Sequence, residues 1–312
     1  MENYVYTLQK KKWGIFNHYL AGAFLNPESD KNIYYGTPAS WEECVNRFDA
    51  ERLAYSLHKM GAGYYFITVM QCREYMLAPN ETFDKIAGTK PGEACATRDL
   101  PLDLYNELSK YGIDLCLYFT GDGPQLAPFA ENFGFVRGDR QVTEDFVKKW
   151  SSVLEEYAVR YGDKVKAWWF DGMYKNAIGY TDELQKYYYD AVHKGNPYAA
   201  TAFNNGFDAR FGKNYINEEF CAGEFNYFGP TPNKAEREAV VPHVLSPLGY
   251  VPGDEWQWWS KRGVRYTKEF AVDYINTIYK LGGFTTIDIA VNVDGSFDPE
   301  QEAFLQSIGK RL

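Results

Sequence analysis

Asp171 lies at a position in the sequence that suits a catalytic residue. It directly follows the apolar run 166–170, which includes Trp168 and Trp169, and it precedes Gly172. A carboxylate at the end of a buried strand is partly desolvated, so it needs either hydrogen-bond partners or a chemical role. Asp171 could therefore act as a nucleophile. The alternative is a structural aspartate that caps the following helix.

Glycoside hydrolysis is one reaction that such a carboxylate could perform. With retention of configuration, this reaction needs a nucleophilic carboxylate and a proton-donating carboxyl group roughly 5 Å apart. Glu224, near the end of the sixth predicted strand, is the favoured proton donor. Sequence spacing does not separate it from three other glutamates, since the acid can lie on any loop: Glu218, Glu219 and Glu255.

Polar and aromatic residues near the predicted strand ends could bind a sugar. Aromatic residues form 18% of the chain, and their rings can cover the apolar faces of sugars while their OH and NH groups bind hydroxyls. We expect eight side chains to bind substrate: His18, Gln71, Arg73, Glu74, Tyr118, Trp169, Asn204 and Trp256. Asn205, Asn292 and Asp294 also follow strands. His243 is open to the same two readings as His18, a sugar ligand or a core residue, whereas His58 and His193 fall inside predicted helices.

Eight short apolar runs are predicted to be the strands that position these residues. They cover residues 14–18, 64–69, 115–119, 166–170, 199–203, 220–225, 243–245 and 284–290. Near-continuous apolar runs are typical of parallel strands covered by helices. Six helices are predicted, at 48–60, 102–111, 143–161, 181–194, 267–281 and 299–312.

Strand–helix alternation along the whole length predicts an α/β fold, a (β/α)8 TIM-like barrel, as one domain over residues 1–312. Reactive residues of such barrels lie at the carboxyl ends of the strands. An open doubly wound sheet is the alternative, but its GxGxxG fingerprint is absent after the first strand. No linker rich in Pro, Gly or Ser divides the chain.

The composition indicates which partners to expect. A net charge of −9 and a pI of about 5.1 argue against nucleic acid or an anionic membrane. Five scattered cysteines and four histidines show no metal-binding spacing, so no metal or cofactor is expected. Without a visible signal peptide or an apolar span, a cytoplasmic location is the default. A periplasmic or secreted protein whose signal has been removed would have the same sequence, and the oligomeric state is left open.

Several segments occur in an order that matches one family. They are WGIFNHY at 13–19, FDAE at 48–51, TRDL at 97–100, LYF at 117–119, WFDG at 169–172, and GGF through DG at 282–295 with PEQ at 299–301. They resemble the motifs F-G-[IL]-F-x-H-W, F-D-A-E, K-R-D-L, G-L-Y-Y, W-F-D-G and G-G-N-L-L-L-N-I-G-P-x-x-D-G with P-E-Q of the α-L-fucosidase family of glycoside hydrolases. The resemblance covers nearly the whole chain and implies a retaining enzyme on a barrel, with Asp171 as its nucleophile.

The sequence differs from the family motif at the segment that binds fucose in the family. The family's K-H-H-D-G-F corresponds to MQCREY at 70–75, so Gln71 and Cys72 replace two histidines. An amide and a thiol cannot reproduce the hydrogen bonds of two imidazoles, so the recognised hydroxyl pattern should differ. Arg73 would suit an anionic or highly oxygenated ring, or could pair with Glu74 or Asp171. The family's usual C-terminal β-sandwich is not expected here.

The sequence thus predicts a retaining exo-glycosidase with a carbohydrate substrate, Asp171 as nucleophile and Glu224 as acid/base. Whether the sugar is L-fucose is left open. One alternative is a non-catalytic carbohydrate-binding relative on the same barrel, which the altered Gln71 and Cys72 would suit. Another is a metal-dependent sugar isomerase or hydrolase, which would need several carboxylate and histidine ligands at strand ends.

Overall fold

The computed structural model describes residues 2–29, 36–71, 75–125, 128–135, 141–206, 210–250 and 259–312. Within them, seven parallel strands form one sheet in the order β5-β4-β3-β2-β1-β7-β6. The strands are β1 (Trp13–Asn17), β2 (Tyr64–Thr68), β3 (Asp114–Thr120), β4 (Val165–Asp171), β5 (Ala200–Phe203), β6 (His243–Pro247) and β7 (Phe284–Asp288).

Residues 219–225 take the remaining position of the barrel, between β5 and β6. On one side, the N–H of Glu219 donates to the carbonyl of Thr201 in β5 at 3.1 Å. On the other side, the N–H of Leu245 in β6 donates to the carbonyl of Gly223 at 2.7 Å. Backbone hydrogen bonds therefore connect β5 to β6 through this segment and close the ring.

The prediction of a continuous strand over 220–225 is wrong. The segment forms isolated β-bridges at Phe220 and Glu224 instead. Gly223 lies between them with a φ of +63°, outside the extended region that a regular strand requires. The kink places Glu224 at the carboxyl edge of the barrel, so the irregular segment is part of how the site is built.

We expect Gly223→Ala to destabilise the protein by about 2 kcal/mol or more, since strained backbone and steric overlap each cost on that order. A Cβ at this position would lie 1.9 Å from the carbonyl oxygen of His243. Gly212→Ala is the matched control, because a Cβ there meets no atom of the described residues within 4 Å. Denaturant unfolding of the two variants measures the difference. Equal midpoints would contradict the account of the kink.

Thirteen α-helices occur in the described part of the chain. They are α1 (Val5–Lys11), α2 (Ala21–Phe24), α3 (Trp41–Arg47), α4 (Ala50–Met60), α5 (Glu81–Ala87), α6 (Leu100–Ser109), α7 (Phe129–Phe133), α8 (Glu144–Tyr161), α9 (Lys175–Ile178), α10 (Asp182–Gly195), α11 (Lys234–Ala239), α12 (Lys268–Lys280) and α13 (Pro299–Gly309). All six predicted helices are present with shifted ends. No helix of these ranges is long and apolar enough to cross a membrane.

Side-chain caps explain several of the shifted boundaries. Asp49, Thr143, Thr181 and Thr267 each accept a hydrogen bond from a backbone N–H in the first turn of the following helix. A capping residue has a non-helical backbone, so these four residues precede their helices. The shorter helices that the periodicity missed, such as α2 and α9, span a single turn each.

Two apolar clusters hold the barrel together. The larger lies between the strands and the surrounding helices. The smaller fills the barrel interior with inward side chains such as Phe16, Tyr118 and Trp169, and helix α1 adds Val5 and Leu8 to it. Because α1 leads directly into the start of β1, it covers the amino-terminal end of the barrel. The carboxyl end is left as the open face.

Candidate active site

A cavity of about 390 Å³ lies at the carboxyl ends of the strands. Its position is the one that barrel enzymes use for their reactions. It is lined by Phe16, His18, Leu20, Ala23, Ser29, Gln71, Tyr118, Trp169, Asp171, Glu224, Leu245, Trp259, Ser260 and Lys261. Both favoured carboxyl residues and four of the eight predicted sugar-binding residues therefore meet in one cavity.

Asp171 is the last residue of β4 and accepts hydrogen bonds on both carboxylate oxygens. Its Oδ2 accepts from Tyr118 Oη at 2.7 Å and from Gln71 Nε2 at 3.3 Å. Its Oδ1 accepts from Gly172 N at 2.8 Å and from Tyr174 Oη at 3.1 Å. These donors fix the carboxylate at the cavity wall, where it is half-buried.

Asn204 connects the two acidic side chains. Its Nδ2 donates to Asp171 Oδ1 at 2.9 Å and to Glu224 Oε2 at 2.5 Å. Because one nitrogen touches both oxygens, these oxygens cannot be further apart than the sum of the two distances. That limit agrees with the about 5–5.5 Å separation of the carboxyl pair in retaining glycosidases. Asn204 itself is buried, so its contacts are with the acids, and sugar binding by Asn204 stays a prediction.

The surroundings of Glu224 raise its pKa to about 7. Burial is the largest cause and the negative charge of Asp171 is the second, while the hydrogen bond from Asn204 acts in the opposite direction. A carboxyl group with this pKa is largely protonated at mildly acidic pH and can give up its proton near neutrality. Its surroundings thus suit Glu224 to donate and accept a proton.

The other candidate acids lie elsewhere. Glu218 is buried and accepts from the backbone N–H groups of Phe203 and Asn214. Glu219 accepts from the N–H and hydroxyl of Thr201 in β5. Neither lines the cavity, and both anchor the segment that carries Glu224. Four further residues of the prediction lie outside the described residues: Arg73, Glu74, Glu255 and Trp256.

Tyr118 and Trp169 form the floor of the cavity, with ring centroids 5.4 Å apart and nearly parallel planes. Both side chains are almost fully buried, and their polar atoms already have protein partners. Tyr118 donates to Asp171, and Trp169 Nε1 donates to the Ala222 carbonyl at 2.9 Å. They hold the nucleophile candidate and the kinked segment in place, and their contact with sugar stays a prediction.

His18 and His243 differ in their surroundings. His18 lines the cavity and its Nδ1 lies 2.8 Å from Asp288 Oδ1. His243 is fully buried, does not line the cavity, and contacts the Ala222 carbonyl and the Thr286 hydroxyl. Burial lowers its pKa to about 3. His243 is therefore a neutral core residue and the sugar-ligand reading of it is wrong.

Asp288 and Trp259 are cavity-region residues that the sequence argument missed. Asp288 ends β7 and is fully buried beneath His18. The predicted strand extended to Ala290, so Asn292 and Asp294 were expected to follow its end in place of Asp288. Those two bind Ser296 and arginine side chains away from the cavity. Trp259 lies beside His18, with ring centroids 5.9 Å apart, and the signal for it was its place in the Trp-rich run 256–259.

No group of three or more His, Cys, Asp or Glu side chains among the described residues is arranged to hold a metal ion. The four cysteines that the structure describes, Cys44, Cys95, Cys116 and Cys221, are buried and free.

A (β/α)8-like barrel with an aspartate and a glutamate held together at its carboxyl face is an arrangement that suits glycoside hydrolysis. The chain belongs to the α-L-fucosidase family, whose model matches residues 5–312. The predicted family, enzyme class and barrel fold are confirmed. No curated protein sequence matches the chain.

Solved structures agree on the fold. An α-L-fucosidase from Bacteroides thetaiotaomicron has a TM-score of 0.66 at 18% identity, over 98% of this chain and 72% of that one. An unliganded α-L-fucosidase from Lactobacillus casei has 0.64 at 16%, over 98% and 97%. An endo-fucoidan hydrolase of glycoside hydrolase family 107 has 0.67 at 15%, over 96% and 52%. At these identities the likeness concerns the fold.

Proposed function

We propose that the protein is a retaining exo-glycosidase in which Asp171 is the nucleophile and Glu224 the acid/base. The observation that carries the proposal is the shared hydrogen bond from Asn204 to both carboxyl groups. The upper limit that it sets on the distance between the two acids supports a covalent glycosyl-enzyme mechanism. The negative charge of Asp171 helps to raise the pKa of Glu224. Glu224 is therefore suited to donate the proton, and Asp171 is left to act as the nucleophile.

In the first step, an oxygen of Asp171 attacks the anomeric carbon while the bond from that carbon to the leaving oxygen breaks. Glu224 donates its proton to that oxygen, so the alcohol leaves neutral and Glu224 becomes a carboxylate. Tyr118 and Tyr174 keep the nucleophile oriented through their hydrogen bonds. The product is a glycosyl ester of Asp171.

In the second step, Glu224 removes a proton from water, and the water oxygen attacks the anomeric carbon and releases Asp171. Ester formation removes the negative charge of Asp171, which is one of the causes that raise the pKa of Glu224. The pKa of Glu224 should therefore fall in the intermediate. The same group then acts as a base where it acted as an acid.

The exo mode of action is proposed together with a cavity that is closed at its base. Phe16, Tyr118 and Trp169 form that base, so a sugar ring enters from the carboxyl face of the barrel. A neighbouring structure from Bacteroides thetaiotaomicron is described as a covalent intermediate trapped with a fluorinated fucosyl fluoride. Here Gln71 contacts Asp171 at the segment where the family's histidines are replaced. The preferred sugar is therefore proposed to differ from L-fucose in its hydroxyl pattern.

The pH dependence of kcat/KM tests the role of Glu224. We expect kcat/KM to fall as pH rises above about 7, because the pKa of Glu224 is raised to about 7 and the deprotonated form cannot protonate the leaving oxygen. The decrease of kcat/KM at alkaline pH should be smaller for a dinitrophenyl glycoside, whose leaving group needs no proton. An alkaline limb that is identical for activated and unactivated substrates would contradict the assignment.

A further inference from the structure

We propose that Asp288 is a positioning residue that sets sugar recognition by holding two walls of the cavity at once. Its Oδ1 lies 2.8 Å from His18 Nδ1, and its Oδ2 accepts from the backbone N–H of Ser260 at 2.5 Å. The side chain is completely buried. An ionised carboxylate can accept only, so both neighbours must present N–H groups to it.

The two contacts come from different elements. His18 follows β1, whereas Ser260 belongs to the segment after β6 that also presents Trp259 and Lys261 to the cavity. The Ser260 backbone has a φ of +58°, a conformation that a serine rarely adopts and that needs support from its surroundings. The hydrogen bond from Ser260 N to Asp288 supplies this support and fixes the segment relative to His18.

The arrangement determines what His18 offers to a sugar. An imidazole tautomer that donates Nδ1–H to Asp288 leaves Nε2 as an acceptor for a hydroxyl proton. His18 lines the cavity, so its ring is placed to meet a sugar hydroxyl there.

Asparagine at position 288 would break this arrangement in a defined way. It offers one acceptor oxygen to two N–H donors. The backbone N–H of Ser260 cannot change, whereas an imidazole can move its proton to Nε2 and accept on Nδ1. Asp288→Asn should therefore convert His18 to the Nε2–H tautomer. His18 would then meet the sugar as a donor instead of an acceptor.

The first test is nitrogen-15 NMR of histidine-labelled protein without substrate. The chain has only four histidines, and each signal can be assigned by a single substitution. We expect the Nδ1–H tautomer of His18 in the wild type and the Nε2–H tautomer in Asp288→Asn. The same tautomer in both proteins would overturn the proposal. Because no catalysis is involved, this result is independent of the proposed function.

The second test, which rests on the proposed function, is a double-mutant cycle on hydrolysis of the best aryl glycoside. Asp288→Asn should lower kcat/KM about tenfold, as one misdirected hydrogen bond would. In the His18→Ala background the same change should cost less than about twofold, since Asp288 acts on the sugar largely through His18. Equal losses in both backgrounds would overturn the link to His18 and indicate a structural role. Asp294→Asn, in the turn beyond β7, is the matched control and should leave kcat/KM unchanged in both.

Discussion

Replacement of Asp171 by glycine is expected to reduce kcat at least about 10⁴-fold, the scale seen when a nucleophile that acts with its partners is removed. The cause is the loss of the proposed nucleophile, without which the glycosyl ester does not form. Circular dichroism and thermal unfolding should show a folded protein, because Asp171 is only half-buried at the cavity wall. Turnover at the wild-type rate would remove the proposed nucleophile.

External azide sharpens the test of Asp171→Gly. The shortened side chain leaves space in which azide can attack the anomeric carbon of an activated aryl glycoside, while Glu224 remains in place. We expect azide to restore aryl release and to give a glycosyl azide of inverted configuration. Asp163→Gly, at an exposed position before β4, should keep full activity and show no response to azide.

Glu224→Gln is expected to produce a loss that depends on the leaving group. For an unactivated glycoside the loss should be about 10²–10⁴-fold, the usual contribution of general acid catalysis. For a dinitrophenyl glycoside the first step should be nearly unchanged, because that group leaves without protonation. The comparison of kcat/KM for the two substrates measures the effect, and a uniform loss would contradict an acid role.

Glu219→Gln tests whether Glu219, which is close to Glu224 in the sequence, could be the acid instead. Glu219 bonds Thr201 of β5 and does not line the cavity, so its replacement should affect stability more than turnover. If Glu219→Gln instead reproduced the leaving-group dependence expected of Glu224→Gln, the assignment of the acid would be wrong.

The parts of the fold that depend on local pattern were predictable from the sequence. Seven of the eight predicted strands and all six predicted helices are present, since apolar runs and amphipathic stripes reflect burial directly. The segment at 219–225 was not predictable as observed. Its shape depends on Gly223, whose close approach to the His243 carbonyl is a tertiary contact that leaves no periodic signal.

Site residues could be predicted from the sequence where the predicted end of their strand was correct. Asp171 was found because β4 ends at that residue, whereas Asp288 was missed because the predicted last strand extended two residues too far. The choice of Glu224 among several glutamates depends on Asn204, which reaches both carboxyl groups across neighbouring barrel positions. The spacing of residues along the sequence does not give the distances from Asn204 to these two carboxyl groups.

Covalent trapping tests the central claim most directly. A screen of aryl α-L-fucosides, α-L-galactosides and β-D-galactosides first identifies the sugar that the wild type hydrolyses. The wild type is then incubated with the 2-fluoro glycosyl fluoride of that sugar and analysed by peptide mass spectrometry. We predict one sugar per chain, bound as an ester to Asp171. A label on another residue, or hydrolysis of the aryl glycoside with inversion of configuration, would contradict the assignment of Asp171 as the nucleophile of a retaining glycosidase.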